Sequence, residues 1–146
     1  MNMNKLEKAK AILLEENYTC VVVDNNETKT SCLSGIRPLM GFLSASKDAF
    51  KGASMADRCI GRAAAFLMIY GGVEEVYALV ISEHALEILE KYHIPVQYEE
   101  KVPYIINRDH TDMCPMEKTC LDIDSPEEAY EALKNKIKQL MQRSSS

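Results

Sequence analysis

The sequence predicts a three-layer α/β/α sandwich built on a mixed sheet, and three observations carry that prediction. "YTCVVVDNNETKTSCLS" (residues 18–34) reads as two short strands joined by a polar turn, an N-terminal antiparallel hairpin. Val76 to Ile81 is a continuous apolar run rich in β-branched residues, the mark of a strand covered on both faces. Between them, Ala63 to Ile69 is apolar almost all round, and a helix of that kind belongs inside a fold.

The elements follow in order. Leu6, Ala9, Ile12, Leu13 and Leu14 recur at helical spacing and predict an amphipathic helix over residues 3–17. The hairpin comes next, with its turn at Asp24-Asn25-Asn26-Glu27. Gly35 and Pro38 break that pattern ahead of a short apolar stretch, Leu39 to Leu43, and a polar linker runs from Ser44 to Gly52. Ser54, with Asp57 three residues on, reads as the capped start of the central helix, which Gly71-Gly72 ends. Gly61 then falls inside that helix, where it lets another backbone approach closely. After the strand at 76–81, "SEHALEILEKYH" is a helix capped by Ser82. Pro95 to Tyr98 is a second, parallel strand, and Tyr104 to Asn107 is a candidate third. Ser125-Pro126-Glu127-Glu128 opens the closing helix, which runs to about Gln142. The prediction is a single domain over 1–143 with a disordered tail at 144–146.

The bulk numbers narrow the function classes. At 146 residues the chain can bury roughly two thirds of its unfolded surface in one core. No stretch approaches the ~18 apolar residues of a membrane span, and the N-terminus lacks a signal-peptide core, which predicts a cytoplasmic protein without membrane contact. Net charge is −5 with no basic stripe, so nucleic acid is not an expected partner. Five cysteines and no Cys-x-x-Cys argue against a disulfide framework.

"SGIRPLM" (34–40), "ADRCIGRAAA" (56–65) and "RDHTDMCPMEKTC" (108–120), together with the element order, resemble an uncharacterised prokaryotic family with a cytidine deaminase-like fold. Active deaminases take one zinc ligand and a glutamate from His/Cys-x-Glu at the start of the central helix. The other two ligands come from Pro-Cys-x-x-Cys at the next helix start. The resemblance places the first ligand on Met55, the glutamate on Asp57 and the two cysteines near Ser82 and Ala85. It therefore implies a deaminase fold without its zinc ligands, no zinc-dependent deamination, and no metal or other cofactor. Cys59 and His84 are the nearest other donors in sequence and leave a third ligand unsupplied.

Cys114 precedes Pro115, which places it at a helix N-cap where a thiol can gain nucleophilicity. Cys114 and Cys120 would lie about 240° apart on a helix and so face different directions. Asp109, His110, Asp112 and Glu117 surround Cys114 with net negative charge, which favours a packed, unreactive cysteine.

Helix starts and arginines suggest what the site holds. Arg58 and Arg62, one turn apart if both are helical, share a face that Arg37 can join. Such arginines are also commonly solvated or bridged to carboxylates. The predicted site comprises Ser34, Gly35, Arg37, Asp57, Arg58, Arg62, Ser82, Cys114 and Glu117, with Asp57 and Cys114 as the candidate catalytic groups. The leading expectation is a catalytically altered deaminase-fold protein that binds a nucleotide or related phosphorylated small molecule. The alternatives are an enzyme using Cys114 as a reactive thiol and a self-associating homo-oligomeric module.

Overall fold

A computed structural model describes residues 4–33, 35–106 and 112–144. Helix α1 (Lys5–Glu15) opens the chain, capped by Asn4, whose side chain accepts the Glu7 amide. Strands β1 (Cys20–Val23) and β2 (Thr28–Ser31) form the expected hairpin. Its turn is held by Asp24 Oδ1, which accepts the amides of Asn26 and Glu27 at 2.7 Å each. Helix α2 (Arg37–Ala45) follows, then β3 (Ser54–Ile60), α3 (Arg62–Tyr70), β4 (Glu75–Ser82), α4 (Glu83–Lys91) and β5 (Val96–Val102). The short α5 (Pro115–Thr119) and the long α6 (Pro126–Ser144) complete the order.

The five strands make one mixed sheet in the order β2-β1-β3-β4-β5. β1 runs antiparallel to β2 and β3, whereas β3, β4 and β5 are mutually parallel. Val21, Val23, Ala56 and Tyr77 meet α1 on one face. On the other, Cys20, Val22, Met55, Val76 and Ala78 meet a larger core supplied by α2, α3, α4 and α6. Helices therefore flank both faces, and the chain is α/β as expected.

The main correction concerns residues 54–60. The sequence predicts the start of a helix there, and the structure has the central strand. Ser54 does not cap anything: its hydroxyl donates to Glu75 Oε2 at 2.6 Å, across the β3–β4 pair. Backbone ladders on both sides of β3 outweigh the local helix-start signal, which needs only one turn of chain to look right. Gly61 is the N-cap of α3 rather than a residue of its interior. A β-carbon there would come within 2.9 Å of Ile105 Cγ1 and 3.4 Å of Glu117 Oε1, so side chains crowd Gly61 in place of the backbone that the sequence reading expects.

Other elements follow the prediction closely. Ser82 caps α4 by accepting the Ala85 amide at 3.1 Å. β5 is parallel to β4 and extends to Val102, beyond the predicted Tyr98. The candidate strand from Tyr104 reduces to one bridge, Ile106 to Met113, and Asn107 lies outside the described residues. No helix among the described residues is long and apolar enough to cross a membrane.

Candidate functional site

Parallel strands end where their following helices begin, so the carboxyl edge of such a sheet gathers loops and free backbone amides. At that edge, around the end of β3, lies a cleft of about 900 Å³. Gly35 and Arg37 line it from the start of α2, Asp57 to Cys59 from β3, and Gly61, Ala63 and Ala64 from the start of α3. Ile105 and Ile106, the α5 residues through Glu117, and Ile137, Leu140 and Met141 of α6 form the remaining wall. Gly35 adopts φ +65°, a left-handed conformation that glycine accepts without strain and that turns the chain into α2.

Asp57 is the polar group at the floor of the cleft. Strand alternation puts it on the same face as Met55, opposite Cys20 of β1 in the register. It is only 6% exposed, and burial pushes its carboxyl up to about 7, against the opposing pull of the Cys59 and Arg58 amides and the Cys20 thiol. The Cys59 amide donates to Asp57 Oδ1 at 3.1 Å. Burial, and then the Asp57 charge, push the Cys20 thiol well above its ordinary value. Part of Cys59 is open to the cleft, yet most of its surroundings are protein. Burial pushes its thiol up to about 12, helped by the Asp57 and Glu117 carboxylates.

Glu117 occupies the neighbouring crevice, between the ends of β3 and β4. Its Oε1 accepts the Arg62 amide at 3.1 Å and the Ser82 hydroxyl at 2.5 Å, and its Oε2 accepts the Ile105 amide. The start of α3, through its Arg62 amide, and the cap of α4, through the Ser82 hydroxyl, are thus both bonded to the chain's own carboxylate.

The arginines are committed as well. Arg58 is on a strand and Arg62 on a helix, so the shared helical face does not exist. Arg58 reaches the α1 side of the sheet and donates to the carbonyls of Tyr18 (2.6 Å), Leu13 (2.7 Å) and Glu16 (3.0 Å), satisfying the end of α1. Arg62 is buried and donates to the carbonyls of Cys120 (2.8 Å) and Ile123 (2.9 Å), with Glu87 and Asp124 within 4 Å. Of the three predicted arginines, Arg37 is the exposed one at the cleft.

Cys114 is the N-cap of α5, half-buried in the cleft wall, with Pro115 in the first turn as the sequence predicts. Cys120 is buried elsewhere in the core. Ser34 and His110 lie outside the described residues. Among the described residues, no three His, Cys, Asp or Glu side chains are placed to hold a metal ion. The structure therefore gathers Gly35, Arg37, Asp57, Arg58, Cys114 and Glu117 at one cleft, with Arg58 and Glu117 already held by internal bonds, and it places Arg62 and Ser82 in internal bonds away from the cleft lining. The apolar wall from Ile105, Ile106, Met116, Ile137, Leu140 and Met141 has no local signal in the sequence, since nothing near α6 in the chain ties it to the end of β3.

These features define an α/β protein with a mixed five-stranded sheet and an open, largely apolar cleft at the carboxyl end of its central strand. Residues 8–137 match the family TM1506, Domain of unknown function (DUF1893), and the chain belongs to that family. The crystal structure of the DUF1893 family protein TM1506 from Thermotoga maritima is similar along nearly the whole length. Its TM-score is 0.84 at 27% identity, over 93% of this chain and 92% of that one. No curated protein matches.

Proposed function

We propose that the chain binds a nucleoside-like small molecule in the cleft, with Asp57 meeting the polar edge of the ligand and Arg37 meeting an anionic group at the rim. The observation that carries this reading is a buried carboxyl set at the floor of an open 900 Å³ cleft, with no cationic partner among the described residues. A ligand that hydrogen-bonds there adds to the bonds Asp57 already receives within the sheet, and the Met and Ile side chains of the wall suit the flat face of a ring.

The finer architectural reading, a cytidine deaminase-like fold without its zinc ligands, is supported by the hairpin, by the helices after β2, β3 and β4, and by the order β2-β1-β3-β4-β5. With residues 54–60 a strand, the two ligand-bearing helix starts map instead to α2 and α3. Ile36-Arg37-Pro38 and Gly61-Arg62-Ala63-Ala64 stand there and offer zinc none of its usual donors. These residues do not fit the metal, and Asp57 is left as a binding group.

A thermal-shift panel of free nucleosides and their mono- and diphosphates tests the reading. A ligand at 100 times its Kd adds about 2.7 kcal/mol to stability. Asp57→Asn should remove the response to every active member, while Arg37→Ala should weaken only the phosphorylated ones. A panel that leaves the wild-type melting temperature unmoved overturns the proposal.

A further inference from the structure

β5 is an edge of the sheet, with β4 on one side and no strand among the described residues on the other. A parallel strand is ordinarily covered on both faces, yet Gln97 to Lys101 are all exposed, and Tyr98 stands 43% exposed on the face it shares with Ala78. Beyond Val102 the chain leaves this edge: Ile105 gives its amide to Glu117, and its side chain crowds Gly61 at the start of α3. The Val76 amide donates to the Pro95 carbonyl at 3.1 Å, which fixes the ladder. Gln97, Glu99 and Lys101 therefore bond toward β4, while Tyr98, Glu100 and Val102 turn their backbone N–H and C=O groups outward.

We propose that this edge pairs with the β5 edge of a second copy of the chain, antiparallel across a two-fold axis at Glu100. Charges on an edge strand ordinarily guard it against pairing. Here they complement themselves in one register, which puts Glu99 opposite Lys101 and Tyr98 opposite Val102, each twice by symmetry. The Glu99–Lys101 pairs fall at positions without mutual hydrogen bonds, where side chains stand closer. The one like-charge pair, Glu100 with its copy, falls at a hydrogen-bonded position, where they stand further apart. An axis one residue to either side sets Glu99 or Lys101 against itself at the closer spacing and breaks the Tyr98–Val102 pairs. The second strand is the antiparallel edge that parallel sheets of this kind commonly carry, supplied by a partner instead of the same chain. The interface goes beyond the nucleoside reading and does not depend on it.

Analytical ultracentrifugation over a concentration series tests this with two variants. Lys101→Glu and Glu99→Lys each set like charges at both 99–101 pairs, so each alone should dimerise about tenfold more weakly than the wild type. Mixed in equal amounts they restore both ion pairs, and the heterodimer should form as tightly as the wild-type dimer. Hydrogen exchange gives a readout that needs no variant. On raising the wild-type concentration, the Tyr98, Glu100 and Val102 amides should gain protection, while those of Gln97, Glu99 and Lys101 keep what β4 already gives them. A chain that stays monomeric up to millimolar concentration, a dimer indifferent to both variants, variants that dimerise singly as well as mixed, or outward amides whose exchange ignores concentration overturns the proposal.

Discussion

The carboxyl edge of the sheet holds two buried carboxylates a short way apart, and they are treated oppositely. Glu117, 1% exposed, receives a backbone amide from α3, a hydroxyl from the cap of α4 and the amide of Ile105. Asp57, 6% exposed, receives amides of its own strand and a thiol, and burial dominates its ionisation. A fully supplied carboxylate is a structural tie, in this case joining α5 and the Ile105 segment to two helix starts. Among the described residues, Asp57 bonds only within the sheet and borders the cleft, which is why we propose it, and not Glu117, as the recognition group. A helix N-terminus is thus no guide to an anion site by itself: the start of α3 gives an amide to the chain's own Glu117, and the start of α4 is capped by Ser82.

Removing the tie should have the largest effect. Glu117→Ala leaves two amides and a hydroxyl without their acceptor, and at roughly 1–3 kcal/mol for each unsatisfied group the loss is on the order of 5 kcal/mol. Urea unfolding should show a much lower midpoint with unchanged slope. A loss below about 1 kcal/mol would mean that water replaces the carboxylate freely and that the two crevices do not differ as described.

Asp57 should behave in the opposite sense. Its carboxyl rises from an ordinary 3.8 to about 7 on folding, so the folded protein holds the proton more tightly than the unfolded chain between those values. Stability contributed by the protonated form is therefore fully present below about pH 4 and falls as pH rises to about 7, by up to about 4 kcal/mol at about 1.36 kcal/mol per tenfold. Asp57→Asn should flatten this dependence and leave the variant more stable than the wild type at pH 8, a sacrifice reversed in the same substitution by lost ligand response. Equal stability profiles for the two proteins between pH 4 and 8 would contradict the burial of an uncompensated carboxyl.

Much of the frame was legible because its signals are local. The Asp24 turn, the Ser82 cap, the Cys114-Pro115 helix start and the Ser125-Pro126 helix start each satisfy backbone groups within four residues, and each appears where the sequence puts it. The central strand was not legible, because Ser54 and Asp57 imitate a capped helix while their partners, Glu75 and Cys20, lie far off in sequence. Arg58 and Arg62 failed for the same reason. A spacing of four unites side chains only on a helix, and Gly61 divides this pair between a strand facing α1 and a helix facing the segment after α5. Asp57 changes element, from the first turn of a predicted helix to the interior of β3, and in both its carboxyl lies just ahead of the apolar run Ala63 to Ile69.

The most direct measurement is a pH titration of the Asp57 side-chain carboxyl carbon by NMR, first without ligand and then with any nucleoside active in the panel. The account predicts a midpoint near 7 for the free protein, displaced on binding. A midpoint near the ordinary value of about 4 would show a well-solvated carboxylate and remove the basis for the cleft as a recognition site.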